Sequence, residues 1–168
     1  MSERVQVIPW IGTKCVTATS MSRKEYNDYM GYELPSDQDG SDPGYLVEYT
    51  DGGKSNHWNH KGYISWSPAD VFERSYRMTV EMTFGDALFF LKQGRRVARA
   101  GWNGKGMFLF MVPGYEFAVN RPQLLSTYPA GTKVFHQAHI DMKTAQGDIV
   151  PWLCSQTDML AEDWVLVG

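Results

Sequence analysis

Three guanidiniums stand in the run Arg95-Arg96-Val97-Ala98-Arg99-Ala100-Gly101-Trp102-Asn103-Gly104, next to an indole on a glycine-rich turn. Arginine makes bidentate, permanently charged contacts to phosphate, an indole offers a stacking face, and exposed glycine amides donate to phosphate oxygens. Stacking a base on tryptophan is worth ~1–3 kcal/mol. A second run, Trp152-Leu153-Cys154-Ser155-Gln156-Thr157-Asp158, sets another indole before short polar side chains that can read ribose hydroxyls and a base edge. One small basic cluster without a wider basic field suits a compact, phosphorylated ligand better than a nucleic-acid polymer. The same residues fit equally well a surface arginine strand with two core tryptophans.

Other chemistries find less support. His57-Trp58-Asn59-His60 and His136-Gln137-Ala138-His139 are both HxxH pairs. The first lies in a loop-like segment, and a strand over the second would throw its rings onto opposite faces, so no metal site is expected. Asp37-Gln38-Asp39-Gly40-Ser41-Asp42 resembles an acidic calcium loop, but its glycine comes early and no glutamate closes it. There is no GxSxG elbow, no GxxxxGKS/T phosphate loop and no GxGxxG after a strand. Cys15 and Cys154 stand far apart, in no metal spacing and without a local histidine. Neither catalytic residues nor a cofactor are expected, although acid/base carboxylates leave no short signature.

The elements that must position these residues follow from local signals. Between Thr13 and Thr19 the β-branched residues predict a strand, and Ser22 with Glu25 makes a capping box for a short helix that Gly31 stops. Further strands are expected at Leu46–Tyr49 and Gly62–Trp66. Ser67 should then cap a helix with Pro68 in its first position. Thr83 caps another, with Asp86 three residues on, apolar spacing at Phe84, Ala87, Leu88 and Leu91, and Gly94 as the stop. Phe89 precedes Phe90 and lies off that stripe, so one of the two rings should leave the core. Arg95–Arg99 is expected to be a strand, Asn103-Gly104 a tight turn, and the apolar run Met107–Val112 a central strand. Residues 114–134 carry little pattern and are expected to form a long loop. A hairpin over His136–Trp152, a helical turn after Ser155 and a strand at Trp164–Val167 complete the chain.

Composition bounds the rest. The 168 residues are 43% hydrophobic, 14% aromatic and 21% charged, with net charge −3, which suits one domain or two small ones. Residues 1–77 hold 8 Lys/Arg against 11 Asp/Glu, and residues 78–168 hold 8 of each. That seam predicts two α+β modules, 1–77 and 78–168, both soluble. No apolar run approaches the ~18 residues of a membrane span, so no membrane partner is expected. The 6 Trp, 9 Tyr and 8 Phe exceed what such cores need, which points to rings employed outside them.

Residues 82–167 resemble the Thoeris anti-defence proteins of the second type, a phage family. The resemblance rests on Thr83-Phe84-Gly85-Asp86-Ala87-Leu88, on Arg96 through Leu109, on Pro113-Gly114, Met142-Lys143-Thr144-Ala145 and Ile149-Val150-Pro151-Trp152, and on Ser155 through Trp164. It implies a small antiparallel sheet wrapped on a helix, assembled as a homotetramer in the host bacterial cytoplasm. It also implies a sponge that sequesters a cyclic ADP-ribose isomer without cleaving it, and possible binding of CBASS-type cyclic oligonucleotides. The positions carried over are Phe89, Trp102, Asn103, Trp152 and Asp158; Arg99 and Gln156 join them on the chemistry above. The first half is similar to a segment that recurs in phage and prophage proteins of no assigned activity, marked by Arg23-Lys24-Glu25-Tyr26-Asn27-Asp28-Tyr29, Gly44-Tyr45-Leu46-Val47-Glu48-Tyr49 and Ser65-Trp66-Ser67-Pro68. A hydrolase of the same cyclic nucleotide and a protein-interaction module are the rival readings.

Overall fold

The chain divides between Tyr76 and Arg77 into two compact units. The computed structural model describes residues 11–102 and 106–168.

In the first unit, strands β1 (Val16–Ser20), β2 (Gly44–Tyr49) and β3 (Tyr63–Pro68) form an antiparallel sheet in sequence order. Helix α1 (Arg23–Met30) begins at the Ser22/Glu25 capping box and ends at Gly31, whose φ of 72° is a conformation glycine adopts without strain. Tyr26 of the helix packs on Leu46 and Ile64 of the sheet, with Met21, Tyr29, Met30 and Trp66 around them. Helix α2 (Ala69–Ser75) follows β3 directly. Its N-cap is Pro68, with no side-chain cap bond, so the expected Ser67 cap is shifted by one residue. The strand runs on through Pro68 because Gly44 pairs with it, and that pairing delays the helix.

The second unit is built on helix α3 (Phe84–Lys92), again entered through a capping box, here Thr83 and Asp86. Its sheet contains β4 (Arg96–Arg99), β5 (Phe108–Val112), β8 (His139–Lys143), β9 (Ile149–Pro151) and β10 (Trp164–Val167), in the antiparallel order β10-β4-β5-β8-β9. The apolar run 108–112 takes the central place, where both flanks are paired and side chains on one face are sealed by the helix. Ala87, Phe90 and Leu91 of α3 bury against Val97, Leu109, Met82 and Trp164, which makes a small α+β fold of a helix on an antiparallel sheet. A short helix, α5 (Gln156–Met159), precedes the last strand.

One expectation fails here. Residues 114–134 are not a loop: β6 (Tyr115–Ala118) pairs with β7 (Lys133–His136) around a one-turn helix, α4 (Pro122–Leu125). The pairing is short, and only Val119 beside it is fully buried, so the alternating pattern that announces a half-buried strand is weak.

Candidate functional site

Trp164 is the centre of the second unit's aromatic cluster. It is fully buried, and its indole Nε1 donates to the Asp158 carbonyl at 3.0 Å. Three half-buried rings surround it: Trp102 edge-on at 5.7 Å, Trp152 edge-on at 6.1 Å and Phe84 tilted at 5.5 Å. Phe84 also meets Trp152 at 6.0 Å. Edge-to-face contacts of this kind are worth ~0.5–1.5 kcal/mol beyond burial, so they orient the outer rings while leaving part of each accessible.

The pairing of β4 with β10 sets Arg99 opposite Trp164, with the guanidinium 5.7 Å from the indole ring. Arg99 Nη1 donates to Asp158 Oδ1 at 2.8 Å, and Arg99 Nε donates to Asp163 Oδ1. Asp163 Oδ2 in turn accepts the Gly101 amide at 3.0 Å, and Asp158 Oδ2 accepts the Ser155 hydroxyl at 2.7 Å. The hydrogen bond from Arg99, with support from the Gly101 amide, holds the Asp163 carboxyl below the usual carboxylate range. The same bond raises the guanidinium's hold on its proton. Burial, and then the charge of Asp158, pushes the Cys154 thiol up, which keeps it protonated and unreactive at neutral pH.

The structure thus brings four of the seven predicted residues together: Arg99, Trp102, Trp152 and Asp158 all converge on Trp164. Arg99 was expected to offer its charge to a phosphate, and within the chain two carboxylates already meet that charge. It ties the 99–102 turn to α5 and to the start of β10. Phe89 packs on the same core from α3, edge-on to Phe90 at 5.3 Å, and is half-buried where Phe90 is buried. Gln156 is exposed in the first position of α5. Asn103 lies outside the described residues.

Three residues absent from the prediction complete the cluster: Trp164, Asp163 and Phe84. The signal for Trp164 was there, an indole opening a strand otherwise made of Val and Leu. Nothing local reveals that Asp163 serves Arg99, since the two are 64 positions apart. His136 and His139 depart from expectation as well. Their ring centroids are 4.7 Å apart instead of on opposite faces, because the strand breaks at Gln137-Ala138 and its two halves join different sheets. Among the described residues no group of three or more His, Cys, Asp or Glu is arranged to hold a metal ion.

The second unit is a small α+β protein, a helix on a five-stranded antiparallel sheet with a tryptophan hub. Residues 82–167 match the Thoeris anti-defense 2-like domain, and the chain belongs to that family. It is 42% identical over 95 residues to Thoeris anti-defense 2 of Bacillus phage SP01, a stretch covering 54% of this chain and the whole of that relative. Membership assigns an anti-defence role of phage type, and the family's name carries no catalytic activity. Among the described residues no helix is long and apolar enough to cross a membrane.

Proposed function

We propose that the chain is a sponge: it binds a cyclic nucleotide immune signal, a cyclic ADP-ribose isomer of the Thoeris type, and withholds it without cleavage. The observation that carries this reading is the pair of half-buried indoles, Trp102 and Trp152, held edge-on to the buried Trp164. Rings fixed in this way present faces for a planar base with little rotamer entropy left to lose. Asp158, oriented by Arg99 and Ser155, has lone pairs left to accept ribose hydroxyls. Gln156 and Asn103 supply amide contacts, and Phe89 supplies a further ring.

Pockets in this reading form between copies of the chain in a homotetramer. Exposed apolar side chains next to the site residues support that arrangement. Leu153, which follows Trp152, is 92% exposed, and Leu160, close behind Asp158, is 79% exposed. Such surface is costly on a monomer and is what an interface removes from water. Sealing the ligand there strengthens every polar contact made to it, and tight retention is all that a sponge needs. CBASS-type cyclic oligonucleotides are a second ligand class for the same kind of assembly, which acts in the host cytoplasm.

The test is calorimetry on Trp102→Ala. Loss of one stacked base should weaken capture about 10- to 100-fold, with folding and assembly kept. Unchanged affinity would overturn the assignment. Heat denaturation of the loaded protein separates sponge from hydrolase: the ligand should come back intact and in full, whereas a linearised product would establish cleavage.

A further inference from the structure

The first unit contains a hydrogen-bonded chain that its small core does not explain. Glu48 Oε1 accepts the Lys61 and Gly62 amides at 3.0 and 2.9 Å, while Oε2 lies 2.8 Å from His60 Nδ1. The His60 hydrogen bond, and then the Gly62 amide, hold the Glu48 carboxyl below its usual range. An ionised carboxylate can only accept, so Nδ1 carries a proton. In the neutral ring that leaves Nε2 as an acceptor, 2.9 Å from the Tyr29 hydroxyl. The Tyr29 oxygen also accepts from Asn59 Nδ2 at 3.2 Å. Carboxylate, imidazole and hydroxyl in series, with an amide donor on the hydroxyl oxygen, is the arrangement that activates a nucleophile.

The surroundings define what could approach it. The Tyr29 ring stacks on His57 at 4.5 Å, and His57 lies beside Trp58 at 5.6 Å, which is 89% exposed. The loop carrying these rings is pinned, not free: Asn56 exchanges two hydrogen bonds with the Ile64 backbone, at 2.8 and 2.9 Å. Its charge also contrasts with the acidic unit around it. Residues 52–62 contain Lys54, Lys61 and two histidines but no carboxylate, and both lysines are exposed. A planar base finds a stacking platform there, and a phosphate finds cations.

We propose that Tyr29 is a nucleophile, with His60 as its base and Glu48 as a positioning residue, and that this loop takes a nucleotidyl phosphoester whose base rests on His57 and Trp58. In the step, the Tyr29 oxygen forms a bond to phosphorus and the bond from phosphorus to the leaving oxygen breaks. The phenol proton passes to His60 Nε2 and from there to the leaving oxygen or to solvent.

The probe is thymidine 5′-monophosphate p-nitrophenyl ester, incubated with the full chain. The expected result is release of p-nitrophenolate together with one thymidylyl group covalently bound at Tyr29, located by peptide mass spectrometry. Tyr29→Phe keeps the stack on His57 and should show neither. His60→Gln should label about 100-fold more slowly at neutral pH. Glu48→Gln should shift the pH profile. The position of the label, on a residue of the first unit, separates this site from ligand capture in the second unit. No adduct on the unaltered chain between about pH 6 and 10, or equal labelling rates with and without His60, would overturn the proposal.

Discussion

The two units bury their aromatic residues in opposite ways. In the second, Trp164 sits at the centre with no exposed surface, Trp102 and Trp152 lean on it edge-on, and Phe84 packs on it at a tilt. In the first, the fully buried positions are mainly aliphatic, Ile64 and Val47, and the rings are tied into polar chains instead: Tyr29 to His60, Tyr45 to Glu73 at 2.9 Å, and Trp66 to the Met21 carbonyl at 2.9 Å. An apolar hub fixes rings by packing and leaves their outer faces free for a ligand. A polar chain fixes rings by direction and leaves a hydroxyl poised. In the two proposals made above, the first arrangement holds a guest and the second aims a functional group.

The sharpest way to break this comparison is Trp164→Ala. Truncating a fully buried tryptophan leaves a cavity and removes the indole's hydrogen bond to the Asp158 carbonyl, and should cost about 3–5 kcal/mol. Chemical denaturation followed by probes in each unit should show the second unit's transition moving and the first unit's staying put. Equal movement of both would mean that the units do not fold as separate cores.

A smaller effect is expected from the charges around Arg99. Asp163→Asn removes a charge-assisted hydrogen bond from a carboxylate that is 37% exposed, so the loss should be about 1–2 kcal/mol, below the value for a buried pair. The pH dependence follows from the lowered carboxyls of this unit. For Asp86, burial pushes upward, but the Thr83 hydroxyl and amide and then Arg77 bring the net value down. Asp163 is held down mainly by Arg99. A carboxyl lowered in the folded state contributes stability that is present above its unfolded value, about pH 4, and is lost as pH falls through the folded one. Acid titration of the second unit's unfolding should therefore show a loss below about pH 4 that Asp163→Asn flattens. An unchanged acid slope in that variant would show the pair to be idle.

The smallest predicted effects fall on a device that both units use. Ser22→Ala and Thr83→Ala each remove a capping box from the first turn of a short helix, and each should cost about 0.5–1 kcal/mol. Thermal melts of the two variants should show similar losses, each confined to its own unit. A loss several times greater at Thr83 would mean that α3, as the core helix, depends on its cap more than α1 does.

What could be read from the sequence had local causes. Both capping boxes, both glycine stops and the central apolar strand declare themselves within about five residues, because capping and φ preferences act at that range. The β6–β7 hairpin did not, because a short pair with one fully buried neighbour leaves almost no alternation to read. The closeness of His136 and His139 was hidden by a two-residue break that sends β7 and β8 to different sheets.

By itself the sequence determined that there are two α+β modules' worth of elements, where most of them begin and end, and which indoles and arginines stand in chemically suggestive company. Tertiary structure alone decided which of those groups meet. Strand pairing across more than sixty positions brings Arg99 to Asp163 and Trp164, and gives its guanidinium carboxylate partners that no local pattern announces. It also carries Tyr29 to His60, 31 positions away. Such contacts depend on register and on closure of the chain, whose entropic cost is met by the whole core at once, and no local pattern records them.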